Sequence, residues 1–550
     1  MLVGIMDGLP AGLAVDEELL AIDLARRQKG YGRGGRMKIE TDRARLVAGV
    51  RHGRTIGAPV SVLIENRDHA NWLARMKVGE LSPGEDPGPR VTLPRPGHAD
   101  LAGGLKYERD DLRDVLERAS ARETAARVAL GGLAKALLAA VDIRIGSAVT
   151  SIHAANARPT LELVPEAAFD AALLSARADR SEVRAVDDEA AERMIAAIQA
   201  AQKRRDTVGG TFEVRVTGLP PGIGSYVQWD RRIDARLLWA LGSIQAIKGA
   251  EVGDGWSAAE HFGTEVHDPI TRTGPAWTRT SNHAGGTEGG VTNGQPLVVR
   301  AAMKPIATVS NALPSVDLAS GLPDRAHVER SDTCAVPAAA VVGEAMVALC
   351  VAEALLDTWG ADTMDALRSQ VRSAWRRSRR FPAHLYLCGL SAAGKSTVGR
   401  LVAEALALPF IDLDVELERA AGKSVRDIFA HEGEAAFRAR ELEMLRRVAG
   451  GDRAIIALGG GTIMSAAARD LLRRGGDVVW LKAPVELLAS RLSGDTTRPL
   501  LAGKDPAVAL AELESQRVET LKLVADAVVD AAASPELVAQ RVLGAWGALG

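Results

Sequence analysis

The stretch Gly389-Leu-Ser-Ala-Ala-Gly394-Lys395-Ser396 constrains the fold of this chain more than any other, because it matches the phosphate-binding P-loop without a substitution. It follows the apolar run His384-Leu-Tyr-Leu-Cys388, which reads as a buried strand. It precedes Thr397-Val-Gly-Arg-Leu-Val-Ala-Glu-Ala-Leu406, which reads as a helix. Strand, loop and helix in that order are the context the motif requires. Glycines let backbone N–H groups turn inward around phosphate oxygens, and the helix N-terminus adds partial positive charge. The motif assigns Ala392, Ala393, Gly394, Lys395, Ser396 and Thr397 to ATP. Lys395 then reaches the β- and γ-phosphates, and the Ser396 hydroxyl ligates Mg²⁺. A mere Gly-rich turn is the bland alternative in a chain with 55 Gly in 550 residues; the flanking elements argue against it.

Length predicts two to four domains. The net charge of −2 makes no case for a nucleic-acid or membrane partner. Three unpaired cysteines, Cys334, Cys350 and Cys388, support neither a disulfide framework nor a zinc site, and fit a reducing cytoplasm. No apolar run is expected to approach the ~18 residues of a membrane span, and the first residues lack the pattern of a signal peptide. The first ~350 residues mix strands, Gly-rich loops and helices, whereas the last ~170 alternate strand and helix as an open parallel sheet does. Domain boundaries are expected at 1–356 and 382–550. An exposed linker helix, ending in the basic Arg376–Arg380 run, is expected over 357–381; a solvated face is the favoured reading of that run, a nucleic-acid patch the alternative.

In the C-terminal part, Leu408-Pro-Phe-Ile-Asp412-Leu-Asp414 reads as a second strand whose two carboxylates share a face. Asp412 then serves the Mg²⁺ shell and Asp414 a substrate hydroxyl. Arg438, in Phe437-Arg438, offers a planar fork to a carboxylate. A third strand, Ala454–Leu458, opens onto Gly459-Gly460-Gly461, which admits a ligand close to the backbone. Arg498-Pro-Leu-Leu501 lies in a polar segment suited to a lid. This constellation over about 384–545 resembles shikimate kinase; gluconate-type kinases share the P-loop, but the further motifs favour shikimate. The resemblance implies an α/β P-loop domain in which Asp414, Arg438 and Gly460 hold shikimate and Arg498 contacts ATP. Arg517 falls where the family binds the shikimate carboxylate, although Arg517-Val-Glu-Thr-Leu521 departs from the family's Arg-x-Pro-Leu-Tyr.

The N-terminal part carries polar, Gly-rich blocks. Ala25-Arg-Arg27-Gln-Lys-Gly-Tyr-Gly-Arg33-Gly-Gly-Arg36 suits phosphate and carboxylate groups, with a nucleic-acid loop as the competing reading. Arg95-Pro-Gly-His98-Ala-Asp100 places a histidine in a polar loop, where acid–base work is favoured. Arg118-Ala-Ser120-Ala-Arg122-Glu-Thr124 reads as the opening of a helix. Gly242-Ser-Ile-Gln245-Ala246, Asn282 to Gly294, Lys304-Pro-Ile-Ala-Thr308 and Arg330-Ser-Asp332 complete the series. Singly each is an ordinary turn or cap; in this order over 1–356 they resemble chorismate synthase.

That resemblance implies an α+β, β-α sandwich domain that eliminates phosphate from 5-enolpyruvylshikimate 3-phosphate with reduced FMN. It places Arg118, Ala119, Ser120, Gln245, Ala246, Gly289, Lys304, Pro305, Ile306, Ala307, Thr308 and Arg330 on FMN. Arg27 and Arg33 would hold the anionic substrate or NADPH, Asp332 would assist proton removal, and His98 would protonate near the departing phosphate or flavin. It also implies self-association, with a tetramer the family's usual form. The family opens with a strand and Gly-Glu-Ser-His-Gly, and this sequence starts at the segment after it, so roughly twenty residues are expected to be missing. The expected protein is a bifunctional shikimate-pathway enzyme; the alternative is an active kinase fused to an impaired lyase-like binding or oligomerisation module.

Overall fold

The computed structural model describes residues 1–34, 41–66, 69, 72–329, 331–379, 383–492 and 505–549. They fall into two compact units: 1–267 with 282–367, and 268–281 with 368 to the C-terminus.

The first unit is built around a five-stranded antiparallel sheet in the order Ala155–Asn156, Arg144–Ile152, Gly210–Thr217, Leu297–Met303, Ile247–Val252. Period-two alternation puts Phe212, Val214 and Val216 on one face of the central strand. Two helices, Thr124–Ala139 and Val336–Trp359, pack against the sheet and each other. They meet closely because both carry small residues at the crossing: a Cβ at Gly131 would lie 2.4 Å from the Ala345 Cβ, and one at Gly343 would lie 2.5 Å from the Phe212 ring. A three-stranded antiparallel sheet, ordered Leu2–Met6, Val60–Ile64, Ala44–Ala48, lies beside helix Thr124–Ala139.

Contrary to the expectation from apolar runs, helix Val336–Trp359 is long and apolar enough to cross a membrane; 78% of its apolar window is buried inside the protein. Its one buried charge, Glu344, accepts hydrogen bonds from Arg26 and Ser147 and pairs with Lys135 and Arg184. Burial favours neutralising Glu344, but the surrounding cations outweigh it and hold its carboxyl well below the usual range.

The second unit has a five-stranded parallel sheet in the order Phe410–Asp412, Ile455–Ala457, His384–Cys388, Gly476–Lys482, Ala527–Asp530. Both faces are covered, so strand His384–Cys388 is apolar after its leading histidine: Leu385 and Leu387 enter one core, Tyr386 and Cys388 the other. In chain order the strands run 2-3-1-4-5. The P-loop leaves the central strand where the connections diverge to either side, the position at which open α/β sheets bind ligands.

Helix Met364–Arg377 is not the exposed connector expected. Met364, Leu367, Val371, Ala374 and Trp375 recur at helical spacing and are buried. Trp375 takes the guanidiniums of Arg473 and Arg474 over its ring. Nor do all arginines of the basic run face solvent: Arg376 pairs with Asp526 at 3.0 Å and Arg379 with Asp477 at 2.6 Å. Arg380 lies outside the described residues. Arg379 is only 5% exposed, so Arg379→Ala leaves a largely buried carboxylate short of a cation. We expect it to destabilise the second unit by ~3 kcal/mol, read as a lower midpoint in urea unfolding.

Candidate active sites

One cavity of about 1100 Å³ in the first unit gathers most of the separated blocks. Its lining includes Arg27, Arg33, His98, Arg118, Ala119, Ser120, Gln245, Ala246, Lys304, Ile306, Ala307, Thr308 and Asp332. Gly289 and Pro305 do not line it. Gly289 occupies the turn between the short strands Thr287–Glu288 and Val291–Thr292, at φ 61°. Arg330, also assigned to the flavin, lies outside the described residues.

The Arg118–Thr124 block is not the start of one helix. Arg118 and Ala119 close helix Arg113–Ala119, Ser120 caps a short 3₁₀ turn by accepting from the Arg122 N–H, and Thr124 opens the next helix. Breaking the helix at Ser120 puts extended backbone beside the cavity. Arg27 is buried, donating to the Thr124 hydroxyl and the Ala121 carbonyl, with Asp42 at 3.4 Å. Arg33 donates to Asp332 at 2.6 Å, and Asp332 also accepts from the Gly34 N–H. The structure therefore joins an expected anion holder to an expected proton-handling group.

His98 is held by its neighbours. Its Nδ1 lies 2.6 Å from Asp100, whose other oxygen accepts from the Arg95 N–H and Nε. Arg95 in turn donates to Thr308 at 2.6 Å. Asp100 has no exposed surface, and burial pushes its carboxyl up; hydrogen bonds from His98 and Arg95 more than reverse this and hold it well below the carboxylate range. Lys304 donates to the Gly97 carbonyl, and burial, then repulsion from Lys248, lowers its pKa.

In the second unit the P-loop has backbone that favours glycine: φ is 148° at Gly389 and 90° at Gly394. Ala392 also lies in the left-handed region, at 63°. Lys395 Nζ donates to the carbonyls of Gly389 and Leu390, both at 3.0 Å. Ser396 donates to Asp412. Asp414 is not on a shared strand face with Asp412. The strand ends at Asp412, which caps helix Leu413–Ala421 by accepting from the Asp414 N–H. Capping competes successfully with strand extension because the short carboxylate satisfies a helix N–H.

Gly459-Gly460-Gly461 brings the remaining groups together. A Cβ at Gly459 would lie 2.9 Å from an Asp414 oxygen, and one at Gly461 would lie 2.4 Å from the Arg438 guanidinium. Arg517 donates to the Gly460 carbonyl at 2.7 Å. Burial, followed by repulsion from Arg438, lowers the Arg517 pKa, so two guanidiniums share this corner. Arg438 is held by Glu441, which also accepts from Thr462. Arg498 lies outside the described residues.

Residues 1–356 match the chorismate synthase family model. A chorismate synthase of Rubrobacter xylanophilus is 54% identical over 378 residues, covering 68% of this chain and 93% of the relative. The chain belongs to the chorismate synthase family. A crystal structure of a chorismate synthase is 39% identical with a TM-score of 0.54, covering 68% of this chain and 94% of that one. Residues 391–546 match the shikimate kinase family model. A shikimate kinase from Acinetobacter baumannii, in complex with shikimate, is 37% identical over 30% of this chain and 91% of its own, with a TM-score of 0.29. The protein is a fusion of chorismate synthase and shikimate kinase domains.

Sequence reasoning singled out His98 in the chorismate synthase domain but not Asp100 or Arg95, which hold it. The signal was a carboxylate two residues from the histidine. Glu441 was also missed in the kinase domain, with no local signal: it touches Arg438 and Thr462, and its place is set by helix pitch and the turn of the glycines.

Proposed function

We propose that the kinase domain transfers the γ-phosphoryl group of ATP to the 3-hydroxyl of shikimate, and that the synthase domain eliminates phosphate from 5-enolpyruvylshikimate 3-phosphate to give chorismate. The convergence of the N-terminal motifs on one cavity carries the second half of this reading. It favours a working lyase over a non-catalytic module, as does membership of the chorismate synthase family.

Gln245 lines the cavity, and its Oε1 is buried with no hydrogen-bond partner. The polar and cationic lining fits a phosphorylated, hydrogen-bonding cofactor such as FMN, which these residues would hold. Ser120, Lys304 and Thr308 offer polar contacts beside it. Held there, reduced FMN would supply an electron-rich ring to promote the elimination without being consumed overall. His98 donates a proton through the nitrogen opposite Asp100, and Asp332 accepts one while paired with Arg33. Arg33 and Arg27 contribute positive charge for the substrate phosphate or for NADPH, Arg27 from behind the Ser120 turn.

In the kinase, Lys395 would leave the loop carbonyls for the phosphates, and Ser396 with Asp412 would hold Mg²⁺. Asp414 accepts from a shikimate hydroxyl, while Arg438 and Arg517 take its carboxylate. Gly461→Ala pushes the Arg438 guanidinium aside and is expected to raise KM for shikimate ~10-fold, about 1.4 kcal/mol, with KM for ATP little changed. The protein is assigned to the cytoplasm as a self-associating enzyme, with a tetramer the expected form. The deciding experiment supplies the full chain with ATP and shikimate, and separately with 5-enolpyruvylshikimate 3-phosphate and reduced FMN. Product from only one reaction would remove the other half of the proposal.

A further inference from the structure

We infer that the hairpin at 270–279 is a docking arm: it is written inside the synthase sequence but folds as part of the kinase unit, so that kinase ligands order it. The test below rests on the reading of the second unit as a shikimate kinase. Strands Ile270–Thr273 and Ala276–Arg279 pair antiparallel, with Thr273 opposite Ala276. Gly274-Pro275 makes the two-residue turn, and Gly274 takes φ 56°, as a tight hairpin with glycine first requires. A lone pair of four-residue strands is marginal in water. The order of this hairpin must come from what it packs on.

Its partners lie within the second unit. A Cβ at Gly274 would collide with the Ala449 carbonyl oxygen, so the turn rests on the last residue of helix Val425–Ala449. The same carbonyl accepts from His384 Nε2 at 3.3 Å, while His384 Nδ1 accepts from the Ala454 N–H. His384 opens the central strand that leads into the P-loop, and helix Val425–Ala449 carries Arg438 and Glu441. The turn thus meets the joint between the two elements that supply the phosphate loop and the substrate arginine. Ala276, buried, forms an antiparallel backbone bridge with Arg379. The Arg379 guanidinium in turn pairs with Asp477, on the strand beside the central one. Turn and flank are therefore both fixed to elements of the kinase core.

Hydrogen exchange of the full chain tests this, with ADP plus shikimate as ligands, a pair that cannot turn over. Ligand at about 100 times its dissociation constant lowers the population of a linked open state ~100-fold. Amides of 270–279 are expected to slow at least ~10-fold together with those of His384–Cys388, local fraying taking up the remainder. Slowing of His384–Cys388 with no change in 270–279 would overturn the inference. Gly274→Val gives a second, ligand-free reading, because valine takes a positive φ poorly and its branch cannot fit beside the Ala449 carbonyl. In that variant exchange in His384–Cys388 should rise at least ~10-fold, with the synthase strand Gly210–Thr217 unchanged. Unchanged exchange in His384–Cys388, or a rise confined to Gly210–Thr217, overturns it as well. Failure of ADP and shikimate to slow His384–Cys388 would instead remove the kinase reading, and Gly274→Val would then decide the inference alone.

Discussion

Asp100→Ala is expected to lower chorismate synthase turnover by ~10²–10⁴-fold, the range for losing one proton-transfer group, with shikimate kinase activity unchanged. Asp100 touches nothing that reacts; it acts through His98 and Arg95. Its carboxylate accepts a hydrogen bond from His98 Nδ1 and so leaves Nε2 as the working nitrogen. Without it the imidazole loses its tautomer and its orientation. The same change strands the buried Arg95 guanidinium, which keeps Thr308 but loses its counter-ion. Such losses cost about 3–5 kcal/mol, so unfolding must be followed beside the rate. Asp100→Asn keeps the shape and separates the two effects. A near-normal rate for the folded Asn variant would show that His98 needs no partner.

The same carboxylate gives a pH signature. Its folded pKa lies below its unfolded value of ~3.9, so its contribution to stability is fully present above that pH. It is lost as pH falls toward the depressed folded value, because the unfolded chain then binds the proton first. The wild type should therefore lose stability below about pH 4 more steeply than Asp100→Asn, as measured by thermal melting between pH 3 and 7.

Lys395→Met is expected to reduce kinase turnover by at least ~10²–10³-fold, the cost of removing one preorganised charge stabiliser, while chorismate formation continues. Nζ is now held by two loop carbonyls within the P-loop itself. Its loss leaves the loop's shape to Gly389 and Gly394, whose positive φ values do not depend on the lysine. The variant should thus keep its fold, with the deficit falling mainly on kcat. Kinase assays with saturating ATP and shikimate check this; a defect confined to KM would place Lys395 on ground-state binding alone.

Local motifs were the legible part of this protein. The P-loop, its strand and its helix are contiguous, and their geometry follows from glycine placement and apolar periodicity within about twenty residues. The strand at Ile455–Ala457 and the three glycines after it were legible for the same reason. Errors arose where a side chain competed with a pattern. Asp412 ends its strand by capping a helix, so Asp414 turns away from the shared face expected of it. Ser120 interrupts a helix that composition alone would continue. The connector helix is rich in arginine, yet its apolar residues at helical spacing decide its packing.

By itself the sequence determined the two domain families, the phosphate loop and the inventory of polar groups, because each is written in contiguous residues whose backbone preferences are local. Only tertiary structure decided which of those groups meet. Arg33 and Asp332 stand 299 positions apart, Gln245 and Glu123 122 apart, and Arg517 and Gly460 57 apart. No spacing rule links such pairs; packing of helices on sheets brings them within hydrogen-bond reach, and the cost of burying an unpaired charge or amide then selects the partner.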